Sequence, residues 1–147
     1  MADGKVTVVG RITVICNGET VGDEGAKVIL FPENDRVREY DNSLAAMRIA
    51  GKYDSGIVVA VCDKDGLFDA ALPDGDYTYL IISHARIGNS RFSDSGRWYR
   101  HIRLSVGRFL SETDLHTLSL FMGYQAFTTG RVSVKDGGVQ NVGYCFG

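Results

Sequence analysis

The sequence predicts a mainly β fold, and the simplest architecture it favours is a β-sandwich of about seven short strands. The chain contains several runs rich in β-branched and aromatic residues, with tight-turn signals between them. It also has 18 glycines but only 2 prolines in 147 residues, which indicates many tight turns rather than disorder. The length is typical of one domain, so we expect residues 1–147 to form a single sandwich.

The first half of the chain contains three strand candidates. Val6–Cys16 is rich in β-branched residues, and Gly10 within it indicates a bulge or a close backbone approach. Asn17–Gly18 is a strong two-residue hairpin signal, and Ala26–Phe31 is the next predicted strand. Gly56–Cys62 is an almost continuous apolar run, as expected for a strand covered on both faces.

The second half continues the same pattern. Two Asp-Gly turns, at residues 63–66 and 72–75, punctuate the middle region, and Lys-Asp-Gly-Gly at 135–138 predicts a terminal hairpin. The strands predicted around these turns are Leu67–Phe68, Tyr77–His84, Ala126–Val134 and Val139–Phe146.

Two long segments interrupt the strands, at Pro32–Ser55 and Ile87–Tyr124. In the first, Asn42 or Ser43 before Leu44–Ala50 predicts a capped short helix. In the second, apolar residues at helical spacing predict a helix from about residue 112 to residue 122. We therefore expect a sandwich with two insertions that carry short helices.

The order of four short motifs resembles the carboxypeptidase regulatory-like domain. The motifs are Val9-Gly10-Arg11-Ile12, Gly25-Ala26-Lys27-Val28, the turn from Asp63 to Phe68, and the turn from Leu72 to Tyr77. The resemblance covers roughly residues 6–82 and implies a transthyretin-like (prealbumin-like), Ig-like β-sandwich. It also implies a non-catalytic module of cell-envelope or secreted proteins, although the two insertions are not typical of that family.

Composition narrows the possible partners and compartments. The net charge of −2 argues against a nucleic-acid partner, which favours a basic surface. No apolar run approaches the roughly 20 residues needed to span a bilayer. The polar first residues predict no secretory signal, which fits a cytoplasmic protein or a trimmed piece of an envelope or extracellular one.

Cysteine and histidine give no sign of a metal site or cofactor. Cys16, Cys62 and Cys145 each lie in a strand-like segment, which favours three reduced thiols in the core. The alternative is one disulfide plus one free thiol in an oxidising compartment. The histidines are isolated, and no spacing typical of zinc ligands is present.

The carboxylates do not suggest catalysis. Asp63 and Asp65 lack the further ligands of a calcium loop, so a structural Asp-Gly turn is the better interpretation. The pairs Asp23/Glu24 and Asp74/Asp76 are expected to be solvated turn residues, where nothing raises one pKa for acid–base work. No nucleophile motif or phosphate-binding loop is present. We therefore expect no enzyme, unless acids from separate loops converge.

The run at residues 97–103 has the composition of a recognition surface, since arginine and aromatic residues are enriched at binding hot spots. The alternative is an insertion anchored by Trp98 in a local core. The candidate binding residues are Arg97, Trp98, Tyr99, Arg100, His101 and Arg103.

Two functions fit these patterns. The first is a non-enzymatic structural or protein-interaction module, in a cell-envelope or self-associating assembly, because an exposed sheet edge recruits other strands. The alternative is a carbohydrate- or small-ligand-binding sandwich that uses Trp98, Tyr99 and Tyr124 as stacking platforms. A self-formed isopeptide bond between Lys5 and Asn141 is a further hypothesis, since Lys5 lies at the start of the first predicted strand and Asn141 lies on the last.

Overall fold

The fold is a β-sandwich of two packed sheets, which confirms the predicted fold class. The computed structural model describes residues 6–33, 51–52, 57–87, 100, 103–104, 106–109 and 125–147. Within these residues the strands are β1 (Val8–Cys16), β2 (Glu19–Gly22), β3 (Lys27–Pro32), β4 (Gly51–Lys52), β5 (Val58–Val61), β6 (Leu67–Ala70), β7 (Gly75–Ile87), β8 (Gln125–Val134), β9 (Gln140–Asn141) and β10 (Tyr144–Phe146).

The first sheet is built around β1, which changes partners near its middle. Its first half pairs antiparallel with β6 and parallel with β9, and its second half pairs antiparallel with β2 and parallel with β10. Gly10 lies at the change, and a Cβ there would stand 1.6 Å from the Val142 carbonyl oxygen. The predicted close backbone approach at Gly10 is therefore confirmed.

The second sheet is antiparallel, in the order β4-β5-β3-β7-β8. Its central strand β3 is buried on both faces, because Val28 and Leu30 join the core between the sheets while Ile29 and Phe31 are buried on the opposite face. Phe109 stacks on Phe31 there, with ring centroids 5.2 Å apart. This explains why β3 and β5 are apolar at nearly every position.

The Asn17–Gly18 hairpin is confirmed, with φ of 52° and 81° at the two turn residues. Its second strand is β2 at Glu19–Gly22, a strand that the sequence prediction missed. All of its residues are exposed or half-buried, so the segment lacks the apolar run by which strands were recognised.

The two Asp-Gly turns also form as predicted. The Asp63 carboxylate accepts the backbone N–H groups of Asp65 (2.9 Å) and Leu67 (3.0 Å), and Gly66 has a φ of 79°. Phe68 and Tyr77 follow these turns and are buried in the core between the sheets. The turns carry the chain from β5 in the second sheet to β6 in the first, and back to β7.

The predicted terminal hairpin is wrong. β8 pairs with β7 in the second sheet, whereas β9 and β10 pair with β1 in the first. The Lys-Asp-Gly-Gly turn therefore crosses between the sheets instead of joining two paired strands. Val142 and Phe146 are buried in the same core cluster as Val134. This burial between the sheets stabilises the crossing more than pairing with β8 would.

The predicted helices at residues 44–50 and about 112–122 lie outside the described residues. In the second insertion the described helical positions are 100, 103, 104 and 106, followed by a 3₁₀ helix at Gly107–Phe109. No helix in the described part of the chain is long and apolar enough to cross a membrane.

Candidate functional site

The predicted recognition run is only partly described. Arg100 and Arg103 are helical and exposed, whereas the other four predicted residues, Arg97, Trp98, Tyr99 and His101, lie outside the described residues. Leu104 is 82% exposed beside these arginines, while Val106 and Phe109 are buried. Phe109, which stacks on Phe31 of β3, is a described contact that ties this insertion to the body, and the predicted anchoring by Trp98 stays a prediction.

A β-bulge in β7 marks the point where the second insertion begins. The pairing of β7 with β8 shifts register between Ile82 and Ile87, so the intervening residues are left out of the ladder. The Gln125 amide Nε2 donates to the His84 carbonyl at 3.0 Å, across the base of the insertion. Bulges that re-aim side chains are common beside functional sites, and several polar side chains surround this one.

Asp23 holds this bulge, which corrects its predicted placement in a solvated turn. Its carboxylate is fully buried and accepts hydrogen bonds from the Ser83 hydroxyl (2.5 Å) and the backbone N–H groups of His84 (3.1 Å) and Ala85 (3.0 Å). Neighbouring Glu24 is exposed, as predicted. Asp23 is buried because the irregular bulge leaves amides that no strand can satisfy, and its carboxylate satisfies them.

Arg86 joins the bulge to the first sheet. Its backbone N–H donates to the Ser83 hydroxyl at 2.8 Å, and its Nη2 donates to the Ile15 carbonyl of β1. Its Nε is buried without an acceptor among the described residues. The bulge is therefore tied to both sheets at one end of the sandwich.

The reactive groups in this bulge cluster (Asp23, Cys62, Ser83 and Arg86) are poorly placed for catalysis. Burial, Asp23 and Asp63 raise the pKa of the Cys62 thiol to about 12, so the thiol stays protonated and is a weak nucleophile at neutral pH. The Ser83 hydroxyl donates to a carboxylate and accepts from a backbone N–H. The arrangement can brace a bulge, but it offers neither an activated nucleophile nor an uncommitted base.

The other two cysteines correct a second prediction. All three are free thiols, but only Cys62 is buried, while Cys16 and Cys145 are exposed. Cys16 is the last residue of β1, and Cys145 faces outward beside Thr13 on the solvent side of the first sheet. The apolar strand sequences predicted burial for all three thiols, but they did not indicate which thiols point to the solvent side of the sheet.

Asp74 and Asp76, predicted as solvated turn residues, are both exposed, but Asp76 lies in β7 and both carboxylates accept hydrogen bonds. Asp74 is exposed and accepts the backbone N–H groups of Asp136 (2.9 Å) and Gly137 (3.1 Å), and Asp76 accepts the Ser133 hydroxyl at 2.5 Å. Among the described residues, no group of three or more His, Cys, Asp or Glu side chains could hold a metal ion. These carboxylates link the second Asp-Gly turn to the turn after β8.

The strongest candidate for an interaction site is the outer edge of β8, the last strand of the second sheet among the described residues. The direction of its backbone groups follows from the hydrogen bonds of the neighbouring strands. The Glu33 N–H donates to the Asp76 carbonyl at 2.9 Å, so even-numbered residues of β7 bond to β3. The odd-numbered residues of β7 must then bond to β8, where Tyr79 is paired with Gly130. Pro32 has no N–H to donate, and it fits this alternation because it lies opposite Tyr77, whose backbone groups bond to β8.

It follows that Thr129, Arg131 and Ser133 direct their backbone N–H and C=O groups away from β7. β8 is the last strand of its sheet, and no described strand pairs with its other side. Thr129 is half-buried, and both Arg131 and Ser133 are exposed. This segment, residues 129–133, is hereafter called the open edge.

The inner face beside the open edge is only partly covered. Residues 125–130 are all half-buried, and Tyr79 and Ala126 pack against the rim of the core. A Cβ on Gly130 would stand 2.3 Å from the Tyr79 hydroxyl, so the tyrosine ring covers this glycine. A strand added here would extend both the backbone ladder and the apolar layer.

Sequence reasoning predicted the β8 strand but not that it is an edge. The segment Gln125–Val134 contains no proline and one charged residue, Arg131, so it lacks the features that usually protect an edge strand. This lack of protecting residues was the sequence signal that β8 could recruit another strand. Strand order, which decides whether the signal matters, depends on contacts across the whole chain.

Comparisons with known proteins leave the family open. No protein-family model matches the chain, and no curated protein does. A candidate carbohydrate-binding protein from Pseudomonas aeruginosa superposes with a TM-score of 0.48 and 16% identity, over 98% of this chain and 92% of that one. (S)-allantoin synthase superposes with a TM-score of 0.38 and 12% identity, over 95% of this chain and 40% of that one. Both TM-scores are below 0.5, so neither similarity bears on function.

Proposed function

We propose that this chain is a non-enzymatic protein-interaction module that binds another protein by adding a strand to the open edge of β8. The observation that carries the proposal is the run of outward backbone groups at Thr129, Arg131 and Ser133. Strand addition obtains its affinity from such groups and its specificity from alternate side-chain positions. The resemblance to the carboxypeptidase regulatory-like domain and a cell-envelope location both remain predictions that agree with this role.

The chemistry of the edge defines what a partner strand must contain. Its inward side chains would meet the half-buried layer around Tyr79 and Ala126, which favours apolar residues. Its outward side chains would lie beside Thr129 and Arg131, where polar residues are tolerated. A partner of alternating apolar and polar residues therefore fits the site.

A proline substitution tests the proposal. Thr129→Pro removes an N–H that faces away from β7, so it leaves the existing ladder in place. Thr129→Val is the matched control, because it keeps both the N–H and the β-branched shape. The probe is a fluorescein-labelled peptide of alternating valine and threonine with terminal lysines, and fluorescence polarisation measures its binding.

We expect the wild-type protein and Thr129→Val to bind the peptide with similar affinity, and Thr129→Pro to bind at least about 10-fold more weakly. The loss corresponds to one or two hydrogen bonds of about 1 kcal/mol each. A peptide interrupted by proline should not bind. Equal binding by the valine and proline variants, or no binding to the wild type, would contradict the proposed site.

A carbohydrate-binding role stays an alternative without structural support. Its expected platforms, Trp98, Tyr99 and Tyr124, lie outside the described residues. Substituting Trp98 by alanine and screening both proteins on a glycan array would test it, since stacking predicts glycan binding that depends on the ring.

A further inference from the structure

We propose that the strand added at the open edge carries an acidic side chain at the position directly beside Arg131. This inference rests on the proposed function and adds the charge of the partner at one defined position. Its basis is a mostly exposed guanidinium on the middle one of the three outward-facing residues, with an uncharged residue on either side of it.

Arg131 lies where a side chain of the partner would meet it. Phe31 of β3, Thr78 of β7 and Arg131 are directly opposite one another, so they form one row across the outer face of the second sheet. Neighbouring strands are about 4.8 Å apart in parallel and antiparallel sheets alike. The partner residue opposite Arg131 would therefore continue this row in either strand direction.

Covering Arg131 without a counter-charge would weaken binding. Its side chain is 72% exposed, and an added strand would remove part of this charge from water. A basic side chain beside it would repel it, and an apolar one would leave the guanidinium desolvated without compensation. A carboxylate instead replaces the lost hydration with a charge-assisted hydrogen bond.

The carboxylate of Glu33 leaves the open side of Arg131 available, because it approaches from the opposite direction. Its Oε2 lies 3.4 Å from the Arg131 Nε. Glu33 follows β3, which is separated from β8 by β7, so it reaches the guanidinium across the sheet. Since the planar fork of an arginine holds several N–H donors, it can bind one carboxylate from each side.

The neighbouring positions of the open edge favour other residues. The Ser133 hydroxyl donates to the Asp76 carboxylate at 2.5 Å, so an acid beside Ser133 would approach an existing negative charge. Thr129 is uncharged and lies opposite buried Leu80. The acidic side chain is therefore expected beside Arg131, which also sets the register of the partner strand.

Single substitutions in the labelled peptide test this inference. The central threonine of the valine–threonine peptide is replaced by glutamate, glutamine or lysine, and fluorescence polarisation measures the Kd of each peptide for the full chain. The peptides are compared on the same protein, so changes that affect all of them cancel. We expect the wild type to bind the glutamate peptide about 3-fold more tightly than the glutamine peptide, and the lysine peptide about 3-fold more weakly.

Charge variants of the protein show whether Arg131 is the source of this preference. Arg131→Gln should remove the preference, and Arg131→Glu should invert it in favour of the lysine peptide. Lys135→Gln is the matched control, because it removes the same charge from an exposed residue just beyond the open edge. It should keep the wild-type preference. Added salt should reduce the preference of the wild type, since exposed charges are screened.

The outcomes separate the two proposals. If Thr129→Pro weakens binding of the peptides but the wild type does not distinguish glutamate from glutamine, the acidic partner is wrong while the strand-addition site stands. A preference that survives in Arg131→Gln, or that Lys135→Gln removes to the same extent, would reflect general attraction and would overturn the inference. If the wild type binds none of the peptides, both proposals fall.

Discussion

At the scale of single residues, three aspartates accept backbone N–H groups in two different settings. Asp63 and Asp74 accept backbone amides in exposed turns, whereas Asp23 accepts amides inside the sandwich. The sequence predicted a structural Asp-Gly turn at Asp63, and the amides that its carboxylate accepts are only two and four residues away. It could not predict the partners of Asp23, which lie about sixty residues away on a bulge that only the tertiary fold creates.

Asp23 should be the most sensitive carboxylate in the described part of the molecule. We expect Asp23→Ala to lower the free energy of unfolding by about 3 kcal/mol, because it leaves buried donors without acceptors. Asp23→Asn keeps one accepting oxygen and should lose less. Urea denaturation measures both variants, with exposed Glu24→Ala as the control. A loss in Asp23→Ala no larger than in the control would show that the bulge cluster is not a stabilising element.

At the scale of strands, the C-terminal region shows that a sequence pattern can predict strands and a turn without predicting which strands pair. A Lys-Asp-Gly-Gly turn between two strand sequences looks the same whether the strands pair with each other or cross between sheets. Here they cross, and β9 and β10 take positions beside β1. The sequence did predict one feature of this arrangement, because Gly10 indicated a close backbone approach, and the Val142 carbonyl makes that approach.

Gly10→Ala should therefore disrupt the joint between β1 and the C-terminal strands. The added Cβ would stand 1.6 Å from a backbone oxygen that cannot rotate away, so we expect a loss of about 3 kcal/mol in the free energy of unfolding. Gly138→Ala is the control, since Gly138 is exposed and its added Cβ would meet only a carbonyl oxygen at 3.3 Å. Thermal and urea unfolding check the prediction. Equal stability of the two variants would mean that the close approach is dispensable.

For the whole molecule, the sequence predicted the sandwich because patterns of burial and turns are local. It also predicted that β5 is covered on both faces. The edges of the sheets are a different matter, since they depend on strand order, and strand order follows from contacts between distant segments. For that reason the open edge of β8 was not among the predicted sites, while the recognition run at residues 97–103 stays a prediction.

Amide hydrogen exchange along β8 tests the open edge most directly. In dilute protein, the N–H groups of Thr129, Arg131 and Ser133 should exchange at least about 100-fold faster than those of Gly130 and Val132, which bond to β7. With the labelled peptide bound, the three fast amides should become protected while their neighbours change little. Uniform protection along the strand in dilute protein, or fast exchange of the three amides that the peptide does not slow, would contradict the account.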